Sequence, residues 1–185
     1  LLDLIHENGI EWLNVFAVDN VLQRIADPCF IGATITENRS VGAKVVCKNH
    51  PDEKVGVMCL KDNHPSIVEY YELTPELRDA VDEDGEPAYN FGVILNYLFK
   101  ESELEDICEN TLPLHIVEKK IPYIDDAGTL IKPEEPNGYK FETLILDMIQ
   151  MMDTCLPFEV ERDKEFAPIK NKTGIDSVES ARALL

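Results

Sequence analysis

Basic residues are scarce in this chain. Seventeen lysines and arginines stand against 36 aspartates and glutamates over 185 residues, a formal charge of −19. Such a chain lacks the electrostatic footprint of a nucleic-acid binder and is repelled by an anionic membrane surface. No apolar run reaches 18 residues, so no segment is fit to span a bilayer. The opening Leu1-Leu2-Asp3-Leu4-Ile5-His6 has no basic n-region of the kind a signal peptide carries. Five cysteines, an odd count, include no C-x-x-C pair. That argues against a zinc ribbon and against a disulfide scaffold, and favours reduced thiols in a cytoplasmic protein. The four histidines are scattered, and neither H-E-x-x-H nor G-x-S-x-G occurs. Internal repeats and low-complexity tracts are also missing.

What is present is an alternation of strand-like and helix-like segments. Trp12-Leu13-Asn14-Val15-Phe16-Ala17-Val18 is a nearly continuous apolar run, the pattern of a strand buried on both faces. Asp27-Pro28 reads as an N-cap followed by proline at the first helical position. Gly42 to Cys47 reads as a second strand. Val55–Leu60 and Ser66–Glu72 flank the turn-rich 61–65 segment as a hairpin. Thr74-Pro75 opens a short helix, and 89–99 reads as a strand running into a helix. The segment 104–119 reads as helical, interrupted by Pro113. Phe141, Leu144, Ile145, Met148, Ile149 and Met152 fall at helical spacing and predict one amphipathic helix, with its stripe in the core. Pro157 to Val160 is a last short strand. The reading is an α/β domain with a mixed, mostly parallel sheet and an antiparallel hairpin insertion. Both ends are apolar and lack polar tails, as expected for a piece of a longer polypeptide.

Few side chains stand out chemically. Asp19-Asn20 directly follows the first strand, where open α/β sheets place ligands; Asp19 could equally cap the next turn. Two lysines beside turn residues, Lys140 after Pro136-Asn137-Gly138 and Lys170 after Pro168, have the reach and charge for phosphate oxygens. Solvated surface lysines have the same pattern. Glu69, between Val68 and Tyr70, could accept hydrogen bonds from sugar hydroxyls or lie exposed on an edge strand. The acidic run 101–109 and the segment Arg162 to Glu165 read as solvated faces.

Several ordered motifs then converge. Ala17-Val18-Asp19-Asn20-Val21-Leu22 is followed by Ile25-Ala26-Asp27-Pro28-Cys29-Phe30-Ile31-Gly32 and Gly42-Ala43-Lys44-Val45-Val46. Val55-Gly56-Val57, Val68-Glu69-Tyr70 and Lys119-Lys120-Ile121-Pro122-Tyr123-Ile124-Asp125 come next. Ile131-Lys132-Pro133-Glu134-Glu135-Pro136-Asn137-Gly138-Tyr139-Lys140 and Phe166-Ala167-Pro168-Ile169-Lys170-Asn171 complete the series. In this order they resemble the eukaryotic UDP-N-acetylglucosamine pyrophosphorylase family over nearly the whole chain.

The resemblance implies a partial Rossmann-like nucleotidyltransferase domain over residues 1–185, without the family's upstream glycine-rich loop or its downstream domain. It implies a reaction of UTP with N-acetylglucosamine 1-phosphate, in which a sugar-phosphate oxygen attacks the α-phosphate in line, assisted by Mg²⁺. Asp19 then matches the nucleotide and metal side, Lys140 the UTP side, and Lys170 the sugar-phosphate side. Gly56, Glu69 and Tyr70 match sugar-recognition positions. Lys44 has no assigned phosphate contact. The isolated piece is expected to be inactive, and the protein to be monomeric or weakly oligomeric. The sequence departs from the family at Val93, where an asparagine usually contacts the sugar, and at Leu144 and Leu146, which replace two phenylalanines near the acetamido group. On a helix those two leucines point in different directions, with Leu144 in the core stripe and Leu146 outside it. N-acetylgalactosamine 1-phosphate or a plain hexose 1-phosphate therefore remains open as substrate, as does a non-catalytic UDP-sugar-binding module.

Overall fold

A computed structural model describes residues 1–185. A short helix α1 (Leu2–Glu7) leads into β1 (Trp12–Phe16), α2 (Pro28–Thr36) and β2 (Val41–Cys47). The hairpin β3 (Val57–Lys61) and β4 (His64–Val68) precedes α3 (Pro75–Arg78), the long β5 (Phe91–Lys100) and α4 (Glu101–Ile107). Next come β6 (His115–Lys119), β7 (Tyr123–Ile124), β8 (Leu130–Ile131), β9 (Gly138–Glu142) and a 3₁₀ helix (Ile145–Met151). The chain closes with β10 (Cys155–Glu159), α5 (Arg162–Glu165) and α6 (Val178–Arg182).

The α/β class and the embedded hairpin are as expected, but the strand directions are not. In the six-stranded sheet only β2 and β10 run parallel; β1 and β2 each pair antiparallel with β5, as β3 does with β4 and β5. Alternating strands and helices suggested parallel crossovers, whereas β5 returns directly alongside its neighbours. β1 flanks β5 and is half-buried along its length rather than sealed on both faces. The fully enclosed strand is β2, between β5 and β10. Its alternation sorts two layers. Val41, Ala43 and Val45 face the main core with Tyr97, Phe99, Leu146, Ile149 and Met152. Gly42 and Lys44 face α2.

Asp27 caps α2 as read, its carboxylate accepting from the Cys29 N–H at 3.1 Å. The hairpin turn has Asp62 and Asn63 both left-handed, at φ 53° and 65°, the geometry that matches strand twist in a two-residue loop. Gly42 is required by packing: an added Cβ would stand 2.5 Å from Thr34 Oγ1 and 2.7 Å from the Phe30 ring. Gly42→Ala is expected to destabilise the chain by about 1–3 kcal/mol through overpacking, as a urea-unfolding midpoint would register.

Two helix expectations fail for one reason. The segment 104–119 is helical only to Ile107, and 115–119 forms a strand; β9 and the 3₁₀ helix replace the amphipathic helix. The β6–β9 pairing takes up the backbone groups on both sides of the insertion, and Phe141 lies 60% exposed on that ribbon. Through the 3₁₀ helix and its C-cap the period falls to about three residues, so Leu146, Ile149 and the capping Met152 become the buried row. Leu146 is thus in the core, against the helical reading. Each of these buried side chains contributes about 1.5–3 kcal/mol of apolar burial.

Candidate active-site cavity

The site begins with a splice between two loops far apart in sequence. After β1, Ala17 N–H donates to the Leu95 carbonyl at 2.9 Å. The Asp19 carbonyl accepts from Ile169 N–H at 2.9 Å, and Val21 N–H donates to Ala167 O at 3.3 Å. Between them lies Asn20, 3% exposed. Its amide donates to Glu165 O at 2.7 Å and accepts from Ala167 N–H at 2.8 Å and from Leu22 N–H at 3.3 Å. Asn20 therefore pins the loop carrying Asp19 to the loop carrying Lys170.

Beneath the splice is a buried ionic triad. Lys44 is fully buried and donates to Asp27 at 2.7 Å and to Glu165 at 2.5 Å. Its ammonium lies 5.5 Å from the centre of the Phe30 ring. Burial pushes the Asp27 carboxyl up, but Lys44 and the Cys29 N–H together outweigh that and hold it below the usual range. The expectation that Arg162 to Glu165 is a solvated face is thus corrected at Glu165, which is 6% exposed. Nothing in the local pattern signals this, because the partner lies 121 residues away.

A β-bulge supplies another wall. Ala43 pairs with Tyr97 but Val45 with Val93, so β5 carries extra residues there, and Leu95 takes φ 51°. Such a conformation costs a branched residue on the order of 1–3 kcal/mol, and it directs Leu95 into a cavity of about 220 Å³. Asp19, Lys54, Gly56, Glu69, Tyr70, Val93, Leu95, Tyr97, Leu146, Phe166 and Lys170 are among its lining residues. Five of the six sequence candidates therefore meet in one place. At Gly56 a Cβ would stand 3.1 Å from Ile67, 3.3 Å from Val93 and 3.5 Å from the Glu69 carboxylate. The glycine thus leaves room against the floor. Burial, then the nearby Glu72 charge, raises the Glu69 carboxyl. The edge-on Tyr71 ring braces Tyr70 at 5.2 Å between centroids.

The sixth candidate lies elsewhere. Lys140 is on β9, opposite Val117 of β6, outside the cavity lining, and its ammonium pairs with Glu142. The helix expected after Gly138 is a strand in a separate ribbon, which is why Lys140 does not share a cleft with Asp19 and Lys170. Lys54 was missed by the sequence reading, and Leu146, placed near the acetamido group by the resemblance, was misread only as lying outside the core. Lys54 has no motif around it, and Leu146 shows itself only at a three-residue period.

The chain as a whole matches known proteins in sequence and fold. Residues 1–183 match the family described as UTP--glucose-1-phosphate uridylyltransferase. The chain belongs to that family. A UDP-N-acetylhexosamine pyrophosphorylase-like protein 1 from Mus musculus is 41% identical over 179 residues, covering 95% of this chain and 35% of the relative. The UDP-N-acetylglucosamine pyrophosphorylase of Saccharomyces cerevisiae is 40% identical over 185 residues, covering 94% and 38%. The crystal structure of a putative UDP-N-acetylglucosamine pyrophosphorylase from Entamoeba histolytica superposes with a TM-score of 0.87 at 34% identity, over 99% of this chain and 46% of that one. The chain thus spans little more than a third of these two relatives' length. No helix is long and apolar enough to cross a membrane.

Proposed function

We propose that this chain is the sugar-phosphate half of a uridylyltransferase catalytic domain that makes UDP-N-acetylglucosamine and pyrophosphate from UTP and N-acetylglucosamine 1-phosphate. The observation that carries this is the shared cavity, whose lining brings together an anion, Asp19, and a cation, Lys170, with Gly56, Glu69 and Tyr70. Its 220 Å³ falls below the roughly 300–1,000 Å³ of drug-sized sites, as suits one sugar ring with the nucleotide lying beyond the mouth.

In this reading the protein does positional and electrostatic work. Gly56 admits the ring against the backbone, Glu69 accepts hydroxyl hydrogen bonds, and Tyr70 covers a face. Lys170 neutralises the sugar phosphate as it is brought against a second anion. The Asp19 side chain has no hydrogen bond or ion pair within the chain, while its backbone is fixed by Ile169. One held carboxylate beside a phosphate site suits Mg²⁺, which takes one or two carboxylates and completes its shell with waters and phosphate oxygens. Bound there, Mg²⁺ would supply charge stabilisation at the phosphates. Lys140 serves as the nucleotide-side arm, which requires Glu142 to release it. The five free cysteines suit a cytoplasmic setting.

The test is pyrophosphate release from UTP by the full-length polypeptide across a panel of sugar 1-phosphates. N-acetylhexosamine 1-phosphates should be preferred to glucose 1-phosphate; no release with any of them would remove the reading. Val93→Asn should raise kcat/KM for the preferred sugar 1-phosphate about 2–10-fold, the worth of one added hydrogen bond to the sugar.

A further inference from the structure

Both ring nitrogens of His115 face carboxylates. Nε2 lies 2.9 Å from an oxygen of Asp147 and Nδ1 lies 3.3 Å from an oxygen of Glu72. Carboxylates only accept, and a neutral imidazole donates from one nitrogen, so two such bonds describe the imidazolium. The His115 side chain is 12% exposed and that of Asp147 3%.

The partners adjoin two different lining residues of the cavity, Leu146 and Glu69. Asp147 is in the 3₁₀ helix, next to Leu146, and its N–H donates to Leu144 O at 3.1 Å. Glu72 closes the turn that carries Glu69: its N–H donates to Glu69 O at 2.8 Å, and its second carboxylate oxygen accepts from Glu69 N–H at 3.3 Å. A third element supplies the ring itself, since His115 opens β6 opposite Glu142 of β9. We propose that His115 is a positioning residue of the cavity, whose imidazolium ties the Glu69–Glu72 turn to the 3₁₀ helix and so fixes Glu69 and Leu146 around the sugar.

Deprotonation removes one of the two donors and the charge, and the walls are then joined on one side only. The groups facing the ring are Glu72 on the turn, Asp147 on the 3₁₀ helix and Glu142 on β9, with Glu69 behind Glu72 and both Lys140 and Lys119 drawing on Glu142. Four acids against two lysines favour the charged ring. Burial opposes the charge, but the Asp147 hydrogen bond and the charges of Asp147 and Glu72 prevail and raise the His115 value. A raised value means that the latch is fully closed below the ordinary histidine range, near pH 6.5, and opens as pH rises through the native value.

Carbon-detected NMR titration of the 185-residue chain tests the latch directly. The His115 ring should titrate above about 6.5, and the Leu146 methyls should shift with the same midpoint. In His115→Gln, checked for folding by its thermal melt, the Leu146 transition should vanish. Leu146 methyls that do not respond between about pH 5.5 and pH 8.5, or a transition that persists in the variant, would overturn the proposal. Should His115→Gln fail to fold, Glu72→Gln serves instead: it should lower the midpoint while the transition remains, and an unchanged midpoint refutes the latch.

The effect on ligand rests on the function proposed above and is read separately. N-acetylglucosamine 1-phosphate should bind the full-length protein about 5-fold more weakly on the alkaline side, the lower end of ordinary coupling, and the drop should disappear in His115→Gln. That variant also carries the ligand's own phosphate titration as the control. A working NMR latch in a protein that binds no sugar phosphate would support the positioning role and remove the functional reading instead.

Discussion

Lys44→Met should lower the unfolding free energy by about 3–5 kcal/mol, the cost of leaving buried charges without their partner. For a chain of this size that corresponds to roughly 6–20 °C in Tm, at about 2–4 °C per kcal/mol. The side chains of Lys44, Asp27 and Glu165 are 0%, 7% and 8% exposed. Methionine fills a similar volume but leaves two buried carboxylates, both bonded to the Lys44 ammonium, without their counter-charge. Arg24, 3.7 Å from the far oxygen of Glu165 and itself 59% exposed, is too solvated to compensate. Acid dependence supplies a second signature. Asp27 has a lowered native value, so its contribution stands in full above the unfolded carboxylate range, near pH 3.9, and is lost as pH falls through the native value. In Lys44→Met burial acts without its main opponent, and that loss of stability in acid should weaken or reverse. Urea unfolding at several pH values measures both effects. A change below 1 kcal/mol, with the acid dependence intact, would show that the triad is not holding the fold as described.

Lys170→Ala should reduce kcat/KM for uridylyl transfer by about 10²–10³-fold in the full-length polypeptide, the usual loss when a group stabilising transition-state charge is removed. The Lys170 side chain is exposed at the cavity rim, and the residue is anchored by its backbone N–H, which donates to Asp176 O at 2.7 Å. Truncation should therefore leave the thermal melt unchanged, so lost turnover cannot be ascribed to unfolding. Lys172→Ala is the matched control: an exposed lysine on the same loop that does not line the cavity. Lys44 cannot serve that purpose, because its removal is expected to disturb the fold. Comparable losses for Lys170→Ala and Lys172→Ala would strip Lys170 of its phosphate role.

Motifs carried by turns were legible in the sequence because turns depend on local chemistry. Asp27-Pro28, Thr74-Pro75 and the hairpin around Asp62-Asn63 adopt the structures that their residues favour. That Asp19, Gly56, Glu69, Tyr70 and Lys170 belong together was an expectation implied by the family resemblance, and the five do line one cavity. What was illegible depends on distant partners. Phe141 to Met152 satisfies a helical period, yet β6 captures the first part and the sheet selects a tighter winding for the rest. Strand direction in the sheet is fixed by where β5 returns, which no local pattern records. Lys44 and Glu165 look solvated in isolation, and only their meeting explains why both are buried.

The Asn20 clasp bears on how the molecule comes into being. Its amide accepts from Ala167, 147 positions later, so the phosphate end of the cavity is created only when almost the last of these residues arrives. Until then the Asp19 loop, beyond the β1–β5 pairing, must wait with its polar groups in water. Contacts of such long range slow the search for the native state and lengthen exposure of unpaired strand edges. Refolding should therefore restore the β3–β4 hairpin early and ligand competence last, and shortening the chain before Ala167 should remove the binding end without erasing the hairpin.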